Sequence, residues 1–377
     1  LAALRVAVVG CGAMGAATGW RLAARGVQVV CFDRHSPPHT LGSSHGESRI
    51  IRTAYFEGPW YVPLVQDAFP LWRDLEQDSG ARLLTLTGAL MIGPLSAEAV
   101  AGAQAAATVH SLDAPLLDSD ELRRRYPAHV ITDNDVAVLD VQAGFLRPED
   151  AVAAMIDRIV ALGGEIRRGV VVTEISGRAE GVEVATDEAR ETFDAVVIAA
   201  GPWIRDLFPL PVIVERQVMA WFELEAEGRD WLAPERFPVF IRDTDGLEIY
   251  GVPTLDGASL KVARHHGGEP TDPESIRREV PQAEIDPLQT FATTYLRGVT
   301  DRVTKTAVCM YTNTPDDDFV IDLHPDDPRV VVVSACSGHG FKFAPVVGDI
   351  AADLVSEGRT ARDISRFAVA RFAKPVP

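Results

Sequence analysis

The run VAVVGCGAMGAATGWRLAARGVQVVCFDR constrains this chain more than any other segment, because it sets Gly10, Gly12 and Gly15 in G-x-G-x-x-G spacing between a strand and a helix. Arg5 to Val9 reads as a β-prone run, Ala13 to Arg25 as a helix, and Val27 to Phe32 as a second strand, with Gly26 where a helix C-cap belongs. In such a unit Gly10 permits the tight turn, Gly12 lets a pyrophosphate approach the backbone, and Gly15 lets the helix pack on the strand. The helix N-terminus then faces the phosphates. Asp33 ends the second strand 18 residues after Gly15, where an acid can accept hydrogen bonds from ribose hydroxyls. A dinucleotide-binding Rossmann unit follows.

Length and charge narrow the class further. At 377 residues the chain suits two domains. Its net charge of −18, from 36 Lys and Arg against 54 Asp and Glu, repels nucleic acid and anionic membrane surfaces, so neither is an expected partner. No stretch approaches the ~20 consecutive apolar residues of a membrane span, and the chain opens almost directly on a strand; a cytoplasmic location is the expectation. Cys11, Cys31, Cys309 and Cys336 lack CxxC spacing, and the nine histidines lack HExxH spacing, so no disulfide framework and no metal site is expected.

After the first unit, HSPPHTLGSSHGESR (residues 35–49) has neither helical nor strand periodicity and is long enough to wrap a ligand. Helices are predicted from Tyr61 to Asp78, within Ser96 to Tyr126 (the last from Ser119), and from Pro148 to Leu162, with a strand from Leu83 to Ile92. GGEIRRGVVVTEIS and GVEVATD read as a β-meander, and FDAVVIAAG as a buried strand ending at Gly201. From Val212 to Thr304 the pattern shifts to alternating strands, VMAWFELEA, LEIYGVP and SLKVAR, with a Pro-rich charged helix after Thr271. A strand from Val330 to Ala335, the turn SGHGF and a helix from about Pro345 to Glu357 close the chain.

The predicted fold is α/β with an α+β second domain: a Rossmann-type nucleotide-binding domain carrying an inserted, mainly antiparallel sheet. We expect residues 1–82, 141–212 and 316–377 in the first domain, and 83–140 and 213–315 in the second. The fingerprint alone does not separate FAD from NAD. A hydrophobic strand returning beside the first one, as FDAVVIAAG does, favours FAD.

Three further segments, GSSHGESRIIR (Gly42 to Arg52), CMYTNTPDDDFVIDLHP (Cys309 to Pro325) and SGHGFKFAPVVGDIAADL (Ser337 to Leu354), resemble the monomeric sarcosine oxidase and N-methyltryptophan oxidase family of amine-oxidising flavoproteins, within the D-amino-acid-oxidase-like superfamily. With the fingerprint, the resemblance spans nearly the whole chain. It implies an FAD joined through the sulfur of Cys309 to the flavin 8α-methyl group, a bond that suits a soft thiolate nucleophile. It implies Lys342 and Arg52 on a substrate carboxylate, where two cations give affinity and orientation. Arg49 would lie near the flavin face, with Ser43, Ser44 and His45 touching phosphates or backbone. Gly338, Gly340 and Phe341 would form a turn whose N–H groups, with the following helix end, face the flavin pyrimidine.

Lys261 and His265 stand four residues apart, an even offset that puts both on one strand face. The resemblance gives Lys261 the activation of oxygen, His265 a place beside the substrate amine, and Tyr250 and Tyr311 places in the pocket. His266 is expected at the surface. Ala13, Met14, Arg34, Val172, Trp203 and Met310 complete the implied cofactor contacts.

The implied activity is oxidation of a secondary, N-substituted α-amino acid to an imine by a monomeric enzyme, with oxygen reduced to hydrogen peroxide. Sarcosine, N-methyltryptophan and fructosyl amino acids all remain open as substrates. VPTLDGAS before Lys261 and the LEIYG strand depart from each subgroup. A dehydrogenase using another electron acceptor would share the fold; a non-enzymatic flavin-binding subunit would lack Arg52, Lys261 and Lys342.

Overall fold

The computed structural model describes residues 4–244 and 246–373. Among these, six strands form one sheet in the order Val320–His324, Asp327–Ser334, Ala195–Ile198, Arg5–Val9, Gln28–Asp33 and Glu165–Arg168. Every pairing is parallel except the first hairpin. The interior strands are apolar on both faces because both faces are covered. Val6, Val8, Val29, Cys31 and Val197 pack on helices Ala13–Ala24, Val62–Ser79, Pro148–Ala161 and Ala344–Glu357. Ala7, Val9, Val30, Phe32, Val196 and Ile198 pack on Val182, Val184 and Phe193 of a three-stranded antiparallel sheet, Val172–Arg178, Gly181–Thr186 and Arg190–Phe193. The strand read from FDAVVIAAG pairs in parallel with Arg5–Val9, as predicted. A Cβ on Gly15 would overlap the Gly10 carbonyl oxygen, so this glycine lets the helix lie against the turn.

A second sheet runs Glu269–Pro270, Ile213–Leu224, Ser259–Arg264, Leu247–Val252, Val239–Thr244, Ala89–Gly93, Val136–Asp140 and Leu116–Leu117, and Val299–Asn313 also pairs with Ile213–Leu224. It is antiparallel except where Val239–Thr244 meets Ala89–Gly93. Period-two alternation splits its residues. Ala220, Phe222, Leu260, Val262 and Phe240 pack with Leu288, Phe291 and Ala292 of helix Gln282–Tyr295. On the opposite face, Met219, Trp221, Ala263 and Cys309 cluster with Tyr250, and Lys261 lies opposite Trp221. Burying each such large apolar side chain stabilises the fold by roughly 1.5–3 kcal/mol.

Three predicted elements differ. The strand expected from Leu83 to Ile92 is two strands, Leu84–Leu86 and Ala89–Gly93, in different sheets, because the N–H groups of Thr87 and Gly88 both turn to the Ala143 carbonyl. The expected β-meander loses its first strand: Glu165–Arg168 joins the parallel sheet beside Gln28–Asp33, and the chain leaves it where Gly169 and Val170 bond to the His35 and Asp33 carbonyls. The helix expected after Thr271 begins only at Gln282, preceded by Pro281. The stretch before it is pinned by Arg216, which donates to the Arg277 and Glu279 carbonyls, both at 2.7 Å. No helix among the described residues is long and apolar enough to cross a membrane.

Candidate active site

The carboxyl ends of the parallel strands and the inner face of the second sheet enclose a cavity of about 250 Å³, the position at which open α/β sheets bind ligands. At its nucleotide end lie Gly10, Gly12, Ala13, Met14, Asp33, Arg34, Ser43, Ser44, Val172, Gly201 and Trp203. Asp33 accepts from the backbone N–H groups of Cys11 and His35, both at 2.8 Å. Although burial opposes it, His39 and these N–H groups hold its carboxyl below the usual range, so a carboxylate faces the cavity. Arg34 bridges Glu274 at 2.5 Å and the Trp203 ring at 4.9 Å. The Ser44 hydroxyl accepts from the Ala13 N–H at 3.1 Å, tying the long loop to the helix start.

That loop has a second tether that sequence reading missed. Arg278 donates to the carbonyls of Thr40, Leu41 and Val308 at 3.0, 2.7 and 3.1 Å, clamping the loop to the strand that carries Cys309. Three buried hydroxyls of the lining, Ser43, Thr312 and Ser334, have no hydrogen-bond partner among the described residues. Unpartnered polar atoms in a long cavity with a dinucleotide fingerprint at one end suit a large polar cofactor such as FAD.

Beyond the nucleotide end, Arg49 donates to Cys309 Sγ at 3.3 Å and to the carbonyls of Ser43 and Ser48 at 2.9 and 2.8 Å. Cys309 is 2% exposed, and Met310 and Tyr311 line the wall beside it. Gly338, Gly340, Phe341 and Lys342 also line the cavity. The lining stops at Lys342, inside the 3-10 turn Phe341–Phe343; this turn, rather than the first turn of the expected helix, meets the cavity. Gly338 has φ +76°, and a Cβ there would press on the Tyr311 ring at 2.7 Å. Packing against the wall therefore explains that glycine as well as any approach to a ligand.

Part of the lining is cationic. Arg52 and Lys342 are 2% and 5% exposed, and both line the cavity. Arg52 is paired with Glu57, a residue the sequence did not single out. Burial opposes ionisation of Glu57, but Arg52 holds its carboxyl well below the usual range. Burial and the neighbouring Arg52 bring Lys342 down to about 7. Lys342 Nζ donates to Tyr55 Oη at 3.1 Å and to the His339 carbonyl at 2.5 Å.

His265 lies 4.0 Å from Glu57 and 3.5 Å from Tyr311 Oη; burial and His266 push its imidazole well below the usual value, so it is neutral. Tyr250 stands edge-on to it, ring centres 6.5 Å apart.

Lys261 and His45 do not line this cavity. Lys261 Nζ donates to the carbonyls of Gly46 and Ser48 at 2.8 and 3.0 Å, behind the loop and 5.9 Å from the Tyr250 ring. Burial and Arg49 push its ammonium well below the usual value. His45 is buried, and burial together with Arg49 takes it down to about 3. His266, expected at the surface, is half-buried against His265 and Tyr311, ring centres 4.3 and 5.3 Å away.

Residues 5–354 match the family described as FAD dependent oxidoreductase. The chain is 39% identical over 376 residues to a monomeric sarcosine oxidase from Streptomyces avermitilis, covering 98% of this chain and 97% of the relative. It is 37% identical over 370 residues to an N-methyl-L-tryptophan oxidase from Yersinia pestis, covering 97% and 98%. Among solved structures, NikD, an unusual amino acid oxidase essential for nikkomycin biosynthesis, superposes with a TM-score of 0.86 at 26% identity over 97% of both chains. Since the match runs from the nucleotide fingerprint through Cys309 to the turn carrying Lys342, the chain belongs to the family of FAD-dependent oxidoreductases.

Proposed function

We propose that this enzyme oxidises a secondary, N-substituted α-amino acid and reduces oxygen to hydrogen peroxide, acting as a monomer in the cytoplasm. The observation that carries the reading is the pair of buried cations, Arg52 and Lys342, that line the same cavity as the dinucleotide fingerprint. A buried cation pair suits a carboxylate, and it sets the amine of an α-amino acid over the middle of the cavity. The relatives named for sarcosine and N-methyl-L-tryptophan support the N-substituted class.

FAD supplies the electron acceptor for the C–N bond and the route to oxygen. The protein's own groups bind, orient and shield. Arg52 and Lys342 hold the carboxylate, Tyr250 and Tyr311 wall the pocket, and neutral His265 accepts or donates a hydrogen bond beside the amine. The imine product hydrolyses in water. In this reading Lys261, held outside the cavity lining by the Gly46 and Ser48 carbonyls, favours reduction of oxygen through its positive charge when protonated. The division expected from the sequence, 1–82, 141–212 and 316–377 for the cofactor and 83–140 and 213–315 for the substrate, is part of this reading, with Arg52 and Lys342 of the first set serving the substrate and Cys309 of the second the cofactor.

Covalent attachment of FAD through Cys309 is part of the proposal. A buried thiol whose sulfur accepts from Arg49 at 3.3 Å, in the wall of the cofactor cavity, supports that reading: the sulfur would bond to the 8α carbon as the thiol and the methyl group each lose a hydrogen, with the two electrons passing to the flavin ring and on to oxygen. Ser43, Ser44 and the clamped loop would hold the phosphates.

The test is a peroxide-coupled assay of N-methyl and N-fructosyl α-amino acids beside their primary-amine parents. Stoichiometric peroxide with N-substituted acids supports the proposal. Substrate loss with an artificial acceptor but without peroxide would make the enzyme a dehydrogenase.

A further inference from the structure

Tyr55 connects the two cations. Its ring is fully buried, with the Arg52 guanidinium 4.4 Å and Lys342 Nζ 4.9 Å from its centre. Its hydroxyl lies 2.8 Å from His339 Nδ1 and 3.1 Å from Lys342 Nζ. His339 Nε2 faces the Asp317 carbonyl at 3.1 Å.

The donors can be ordered from these contacts. A carbonyl only accepts, so the imidazole proton sits on Nε2 and Nδ1 is left as an acceptor. Tyr55 therefore donates its proton to Nδ1 at 2.8 Å in preference to the His339 carbonyl at 3.4 Å, which leaves its oxygen lone pairs for Lys342. An ammonium has three N–H donors. The Tyr55 oxygen takes one, the His339 carbonyl a second, and the third remains for the cavity that Lys342 lines. The imidazole cannot turn over freely, because it stacks on Phe319 at 4.8 Å and meets Tyr61 edge-on at 5.1 Å. Burial takes His339 down to about 3, so it stays neutral across the working range.

We infer that Tyr55 and His339 are a positioning pair that sets the spacing of Arg52 and Lys342 and aims the free N–H of Lys342 at the carboxylate of the bound ligand. This rests on the proposed reading of Lys342 as a carboxylate-binding residue. Tyr55 does more than fill space: its ring attracts both cations while its hydroxyl accepts from one. It also ties the segment carrying Arg52 and Glu57 to the turn carrying Lys342, two parts of the chain 287 residues apart.

The experiment titrates FAD-loaded protein with methylthioacetate, an acid without an amine, and reads the visible absorbance of the bound flavin. Removing the hydrogen bond to the Lys342 ammonium should weaken binding about tenfold in Tyr55→Phe, and His339→Leu, which frees the Tyr55 hydroxyl to turn away from Lys342, should weaken it in the same direction. His339→Asn, whose amide oxygen sits where Nδ1 does, should restore most of the affinity. Methylthioacetamide, lacking the charge, should bind all variants alike. Lys342→Met distinguishes the two failures. If it binds the acid as tightly as the parent protein, the carboxylate reading falls and the inference falls with it. If it weakens binding while Tyr55→Phe and His339→Leu do not, only the positioning inference falls. Nitrogen-15 NMR of the histidines is a check without ligand: His339 should show a protonated Nε2, a bare Nδ1 and no titration in the neutral range. A protonated Nδ1 would overturn the ordering of donors.

Discussion

Replacing Glu57 by Gln should make the protein less stable and yet a better binder of carboxylates. In the free enzyme Arg52 has a side chain 2% exposed and is paired with Glu57, itself 15% exposed. Glu57 is held ionised by that pairing, so an incoming carboxylate must displace it or lie beside its charge. Glutamine keeps the shape and one acceptor oxygen but removes the charge. Breaking a buried ion pair costs about 3–5 kcal/mol, and the partial exposure of Glu57 argues for the lower end. A bound carboxylate neutralises Arg52 again, so much of that loss is recovered only in the complex. The linkage requires tighter binding, by at least about tenfold, or about 1.4 kcal/mol. Methylthioacetate is the right probe, since an amine-bearing ligand could lose an attraction to Glu57 and mask the gain. Flavin absorbance titration gives the affinity, and thermal melting with and without the acid gives the stability. Unchanged or weaker binding in Glu57→Gln, with Arg52 intact, would refute the competition between the two carboxylates.

Cys309→Ser should release the flavin into the supernatant on acid denaturation, whereas Cys336→Ser should keep it in the pellet; colour wholly in the supernatant for the parent protein would remove the covalent link. Carboxylate affinity should fall as pH rises above about 7, because free Lys342 then loses the proton the complex needs, and Lys342→Met should flatten that profile in the same titration. Lys261→Met should slow reoxidation of the reduced enzyme by about 10²–10³ in stopped-flow mixing with oxygen, with anaerobic reduction slowed much less. In a Cys309→Ser background, Arg278→Ala should lose FAD faster on gel filtration, because it frees the loop from the Thr40, Leu41 and Val308 carbonyls.

Much of the nucleotide end was legible because its determinants are local. Gly10, Gly12, Gly15 and Asp33 fall within one strand–helix–strand unit, and the returning strand Ala195–Ile198 announced itself as an unbroken apolar run. Alternation also predicted Lys261 and His265 on one strand face, but the strand ends at Arg264, and His265 lines the cavity while Lys261 does not. It could not show that the carbonyls of Gly46 and Ser48 would capture the Lys261 ammonium behind the loop, since those residues lie 215 and 213 positions away.

Predicted elements failed where a distant partner decided the backbone's hydrogen bonds. Ala143 splits the strand expected from Leu83 to Ile92, and Arg216 holds the stretch after Thr271 out of a helix. Neither partner is readable from the periodicity of the segment it alters.

The sequence by itself determined that a dinucleotide is cradled at the carboxyl edge of a parallel sheet, because turn sterics and hydrophobic period act over a few residues. It also named the cations of the site, since Arg52 and Lys342 lie in motifs with their own likeness. Only the tertiary structure decided how those charges are held. The pairing of Arg52 with Glu57, the descent of Lys342 to about 7 and the link from Tyr55 to His339 depend on burial and on contacts across the whole chain. In a low-dielectric interior the protonation state and direction of a charge are set by whichever groups the fold brings within a few ångströms, and no local pattern carries that information.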